Sequence, residues 1–377
     1  MATLTARTLI TAIGTVEYPV IEVDAAGLIT EISSDPTIRS ESILAPTFLD
    51  VHIHGAAGHD VMDCSPSGLS QVQRFLARRG TGHYLPTTVT ASIDATLRAL
   101  EVLAGAIERP TPADEATPIG IHLEGPFLSH AKRGVHLPEL LQQPSIALFQ
   151  RFQAAAHGHI RLMTVAPELP EALEMIAYAT AQGVRVSLGH TNATAAEATA
   201  GINAGATSAT HTFNAMRSMD HREPGILGVV LDDQSLYAEL ICDGIHVAPA
   251  MVRLWLRLKG DRAILMTDGI SATGIPDGPS VLAGVPITVA DGKASVTASP
   301  GTLAGSVLTM DRAVANLQAF TGCGLESAVR AASSQPATML GIGDMIASLR
   351  VGQPASFNQF GASGQLEATY LRGERLG

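Results

Sequence analysis

Eight short apolar runs alternate with helical stripes along most of the chain, and that alternation limits the folds open to it. The runs are Thr47–His52, Gly82–Thr87, Ile119–Glu124, Ile160–Val165, Arg185–His190, Thr207–His211, Tyr237–Cys242 and Ala263–Asp268. Their C-terminal ends recur about 31 residues apart on average, the length of one strand–helix unit. The intervening segments carry the helical period. Leu69, Val72, Phe75 and Leu76 form one stripe, and Ile93, Leu97, Leu100 and Ile107 another. Eight such units predict an α/β fold, a (β/α)8 TIM-like barrel. A doubly wound sheet is the alternative, but no glycine-rich dinucleotide fingerprint follows any run.

The two ends of the chain read differently. Val20–Val23 and Leu28–Ile32 flank the turn Asp24-Ala25-Ala26-Gly27, a hairpin pattern. Leu366–Leu371 alternates in the same way. Both ends therefore supply strands, expected to meet in one small sheet domain of residues 1–45 plus 341–377, with the barrel over 46–340. Within the barrel, Pro286–Ala290 and Lys293–Val296 flank Asp291-Gly292, a strong hairpin signal. It predicts a β insertion over about 272–300 after the eighth strand, followed by helical segments 308–320 and 325–340.

Composition excludes several classes. With 46% apolar and 16% charged residues the chain can bury a core, so it is not disordered. A net charge of −11 argues against a general nucleic-acid binder. An anionic ligand would need a local cationic pocket. No run of ~18 purely apolar residues occurs, so no membrane helix is expected. The first residues lack a basic stretch followed by a clean apolar core, so no signal peptide is expected and the chain reads as cytoplasmic. Cys64, Cys242 and Cys323 form no CxxC pair and are expected as reduced thiols.

Metal-ligand chemistry stands at the strand ends. The first run leads into His52-Ile53-His54, the third ends in Glu124, the fifth in His190, the sixth in His211 and the eighth in Asp268. In such a barrel the reactive groups come from the C-terminal ends of several strands. Residues i and i+2 of a strand share a face, so His52 and His54 can grip one ion. Imidazole and carboxylate suit zinc and neighbouring divalent metals. His52, His54, Glu124, His190 and His211 are therefore the candidate ligands. Asp268 reads either as a turn cap before Gly269 or as a general base beside a metal-activated water.

These residues carry a resemblance. Pro46-Thr47-Phe48-Leu49-Asp50-Val51-His52-Ile53-His54-Gly55 resembles the opening signature of the amidohydrolase superfamily. Gly120–Phe127, Gly189–Ala193, His211–Met216 and Arg222–Gly225 are narrower. Together with Asp243–His246, Thr267–Gly269 and Leu303–Ser306 they are similar, in order along nearly the whole chain, to the N-acetylglucosamine-6-phosphate deacetylase family. The resemblance implies a barrel with a small β-sandwich built from both termini, as a homodimer. It implies hydrolysis of the acetamide of N-acetylglucosamine 6-phosphate, with zinc as the main ion on Glu124, His190 and His211. One ion per subunit is expected, and a second is open to His52 and His54. Asp268 would take a proton from water and pass it to the leaving amine. His136, after Val135, would contact the acetyl carbonyl. Asn214, Ala215, Asp243 and His246 fall in the sugar-phosphate motifs, with Arg222 reaching the partner's site. Leu303, Ala304 and Gly305 would line the sugar pocket.

Other activities compete. A cyclic-amide hydrolase of the same superfamily would bridge two metals with a carboxylated lysine. Lys132, Lys259 and Lys293 are the only lysines, and none ends a strand. N-acetylgalactosamine 6-phosphate differs from the gluco substrate in one hydroxyl's orientation. A non-catalytic barrel would be expected to lack ligands or Asp268, and all are present.

Overall fold

The computed structural model describes residues 2–63 and 65–376, so the expectation for the Cys64 thiol lies outside the described residues. Its centre is a ring of eight parallel strands. In chain order they are Phe48–Ile53, Thr81–Thr88, Ile121–Glu124, Ile160–Val165, Arg185–Leu188, Ser208–Ala209, Tyr237–Ile241 and Ala263–Met266. Each pairs in parallel with the next. A parallel bridge between Ile53 and Gly269 brings the eighth strand back to the first. Asp268 N–H donates to His52 O at 2.9 Å and His54 N–H to Gly269 O at 2.7 Å. Strands covered on both faces read as continuous apolar runs, and every residue of Phe48–Ile53 is buried.

Helices cover the ring. Pro66–Arg78 is capped by Ser65 and buries Leu69, Val72 and Leu76. Ile93–Glu108 is capped by Ser92 and buries Leu100 and Leu103. Two sequence expectations need correction. The sixth strand is only Ser208–Ala209, and the fifth stops at Leu188. His190 and His211 follow with φ of +46° and +31°, which breaks the extended backbone and aims each ring inward. The expected helix 325–340 is two helices, Leu325–Ala332 and Ser334–Met339. Pro336 explains the break: its ring conflicts with the carbonyl four residues back, at Ala332.

The insertion is a four-stranded antiparallel sheet of Gly278–Leu282, Val285–Ala290, Lys293–Val296 and Ser299–Leu303. Asp291 and Gly292 both have positive φ, as a tight hairpin requires. The two chain ends meet in one six-stranded sheet. There Phe357–Phe360 pairs with Ile43–Pro46, and Thr8–Ile10 pairs with the latter's other edge. A three-stranded sheet of Ala2–Thr5, Pro19–Val23 and Ile29–Ser34 packs against it through Leu9, Ile21, Val23, Ile29, Leu44 and Phe357. No helix among the described residues is long and apolar enough to cross a membrane.

Candidate metal centre and active site

Glu124, at the end of the third strand, stands between two pairs of histidines. Its Oε1 lies 3.2 Å from both His190 Nε2 and His211 Nε2, which are 2.9 Å from each other. Its Oε2 lies 3.4 Å from His52 Nε2 and 3.2 Å from His54 Nε2, themselves 3.1 Å apart. Asp268 Oδ1 approaches the second pair, at 3.4 Å from His52 and 3.1 Å from His54. Every one of these side chains is buried.

Backbone carbonyls settle two of the tautomers. A carbonyl only accepts, so His190 Nδ1–H donates to Lys132 O at 2.9 Å and His54 Nδ1–H donates to Thr87 O at 3.0 Å. In the neutral rings the Nε2 lone pairs then face the centre, the usual arrangement of a metal-binding imidazole. The electrostatics call for a cation at the same place. Burial pushes the His54 pKa down, yet Asp268 and Glu124 outweigh it and leave it well above the ordinary value. A proton on His54 Nε2 thus stands where a cation would. Burial pushes Asp268 up, but His52 and His54 bring it down to about 2. His52, His54 and Glu124 form one group able to hold a metal ion, and Glu124, His190 and His211 form another. The donor set fits a divalent cation.

A cavity of about 360 Å³ opens over this centre. Of the sequence-expected residues, Val135, His136, Asn214, Ala215, His246, Leu303 and Gly305 line it, with His54, Glu124, His190, His211 and Asp268. His52 lies fully buried beside His54. Two expectations are placed differently. Asp243 is not on the cavity wall: its Oδ2 accepts from His246 Nδ1 at 2.6 Å, so it orients His246. Ala304 is buried in the apolar cluster of the insertion, with Ile270 and Ile287. Arg222 is exposed on a loop and does not line its own chain's cavity.

Two supporting residues play parts that the sequence does not show. Glu168 accepts from Thr191 Oγ1 at 2.5 Å and from Asn192 N–H at 2.6 Å, pinning the segment just after His190. Asp50 Oδ2 accepts from Thr267 Oγ1 at 2.6 Å, tying the first strand to the residue before Asp268. Both are single carboxylates whose partners come from distant segments, so no spacing marks them. Gly305 is different. At φ +59° it passes so close that an added Cβ would sit 3.0 Å from Asp268 O. The Leu303–Ser306 motif does register it.

Comparison with known proteins defines the class. The Amidohydrolase family model matches residues 43–376, and the chain belongs to that family. Its relatives narrow the field. An N-acetylgalactosamine-6-phosphate deacetylase of Escherichia coli O157:H7 is 37% identical over 374 residues, 98% of each chain. An N-acetylglucosamine-6-phosphate deacetylase of Lysinibacillus sphaericus is 38% identical over 80% of this chain and 77% of its own. A variant N-acetyl-D-glucosamine-6-phosphate deacetylase of Mycobacterium smegmatis, solved in complex with N-acetyl-D-glucosamine-6-phosphate, superposes with a TM-score of 0.92 at 32% identity. That match covers 99% of this chain and 98% of the other.

Proposed function

We propose that this protein removes the acetyl group from N-acetylglucosamine 6-phosphate, giving glucosamine 6-phosphate and acetate. The observation that carries the reading is the convergence of Glu124, His190, His211 and Asp268 on one end of a family-typical barrel, beneath a cavity of sugar size. Glu124, His190 and His211 would hold the main ion, for which zinc suits the donors. His52 and His54, with the other oxygen of Glu124, provide for a second. The bound ion would polarise the acetyl oxygen and make water acidic enough to be deprotonated near neutral pH.

The chain's own residues do the rest. Asp268 Oδ1 accepts a proton as the water oxygen bonds to the acetyl carbon. His136 Nε2–H donates to the acetyl oxygen as negative charge develops there. Asp268 then delivers its proton to the amide nitrogen as the carbon–nitrogen bond breaks. Asn214, the Ala215 backbone and His246 hold the phosphate end, and Arg222 from a second copy supplies the positive charge this acidic chain needs there. The working unit is then a homodimer. A multiply charged sugar phosphate stays inside cells, which places the reaction in the cytoplasm.

The test is acetate release from N-acetylglucosamine 6-phosphate, with the galacto epimer and unphosphorylated N-acetylglucosamine alongside. The reading expects fast release from the gluco phosphate and at least ~100-fold lower kcat/KM without the phosphate, a difference of about 3 kcal/mol. The Escherichia coli relative makes the galacto epimer a serious second substrate. Faster release from it would transfer the assignment to that sugar, and release from neither would overturn it.

A further inference from the structure

We infer that Thr90 is a positioning residue that fixes the ring proton of His136 on Nε2, the nitrogen on the reacting side. The inference deepens the proposed function and rests on the role given there to His136. Thr90 lies two residues beyond the second barrel strand, and His136 lies in the loop after the third. Both are buried, at 2% and 3% exposure, so neither exchanges partners with solvent.

Two groups of Thr90 meet the same ring nitrogen. Thr90 N–H points at His136 Nδ1 at 3.3 Å, and Thr90 Oγ1 lies 2.7 Å from it. A backbone N–H can only donate, so Nδ1 must present its lone pair. The hydroxyl then donates to that lone pair as well, and the single proton of the neutral ring resides on Nε2. That nitrogen lies 3.7 Å from Glu124 Oε2, on the metal-centre side of the ring. The opposite tautomer would turn a lone pair toward the carboxylate and toward the acetyl oxygen that His136 must stabilise.

The packing shows that the hydroxyl has a place made for it. A Cβ on Gly125, which follows Glu124 at φ +77°, would lie 2.2 Å from Thr90 Oγ1. The Glu124-Gly125 step therefore leaves the room the Thr90 hydroxyl occupies. One residue joins the second strand, the step after Glu124 and the loop that carries His136.

The experiment is nitrogen NMR of histidine-labelled, metal-loaded protein, with the His136 signals assigned by their loss in His136→Gln, together with steady-state kinetics. In the unaltered protein Nδ1 should resonate as an unprotonated nitrogen and Nε2 as a protonated one. Thr90→Val keeps the backbone N–H but removes the hydroxyl, so it should shift the His136 nitrogen signals part of the way toward the other tautomer and lower kcat by ~10- to 100-fold, the usual effect of removing such a support, with metal content unchanged. Thr90→Ser should restore both tautomer and kcat. A protonated Nδ1 in the unaltered protein overturns the inference even if Thr90→Val does not fold. So does Thr90→Val with unchanged kcat while His136→Gln is slow. Unchanged turnover in His136→Gln would instead remove the role given to His136, and the inference with it.

Discussion

Two of the four imidazoles at the centre are held by backbone carbonyls, and this divides the labour among the residues. His54 and His190 arrive with Nε2 already aimed. His190, His211 and Asp268 all sit at positive φ, a strain that surrounding structure must hold in place. If Asp268 carries the proton, Asp268→Asn should keep fold and metal but lose about 10²- to 10⁴-fold in kcat. Metal analysis beside the kinetics checks this, and unchanged turnover would refute the assigned role. Metal uptake should also be linked to pH. In the metal-free protein His54 is held protonated well above its ordinary range by Asp268 and Glu124, though burial opposes this. Ligation needs the neutral ring, so affinity should fall as pH is lowered, and filling that pair should release about one proton per site. Titration in weak buffer reads the release directly. Its absence would mean that the His52–His54 pair takes no metal.

At the scale of elements, the ring of strands brings the site together and the insertion closes one side. Gly305 shows the coupling: besides Asp268 O, an added Cβ would lie 2.4 Å from Ile270 Cγ2, and Ser306 N–H donates to Asp268 O at 2.7 Å. Gly305→Ala should therefore cost about 1–3 kcal/mol through the strained φ alone and lower kcat by displacing Asp268. A variant with unchanged melting and turnover would show that the segment is not tightly docked. The elements were largely legible, because a buried parallel strand must be apolar throughout and a covering helix must show its stripe. The candidate ligands were legible because His52 and His54 are two residues apart at the end of the first strand and Glu124, His190 and His211 stand at or just beyond strand ends. The supports were not. Thr90, Glu168 and the carbonyls of Lys132 and Thr87 act through contacts between segments far apart in sequence, and a carbonyl has no residue signature at all. The placements of Asp243 and Ala304 were missed for the same reason, since a motif names neighbours without saying which of them faces the cavity.

At the scale of the whole molecule, the barrel interior beneath the centre is polar and affects stability. Burial raises the Glu239 carboxyl to about 7, against an ordinary 4.5, although His52 and the hydrogen bond from Ser187 pull it down. Because the folded value is the higher one, the stability this group contributes is full below the ordinary value. It is lost as pH rises through about 7. Relative to the unaltered metal-free protein, Glu239→Gln should therefore gain up to roughly 3 kcal/mol at pH 8 and far less at pH 5. Equal differences at both pH values would contradict the burial argument. Assembly makes its own prediction. Coexpressing Arg222→Ala with Asp268→Asn should regain activity at low substrate, because a mixed dimer holds one site with both native residues. No regain would place Arg222 outside the partner's site. In the proposed function, hydrolysis depends on one metal centre held by Glu124, His190 and His211. The most direct test is to strip the metal, assay N-acetylglucosamine 6-phosphate, and add zinc back while counting bound ions. Loss of acetate release on stripping, and recovery that tracks the first ion bound, is the predicted result. Full activity in metal-free protein would contradict the account.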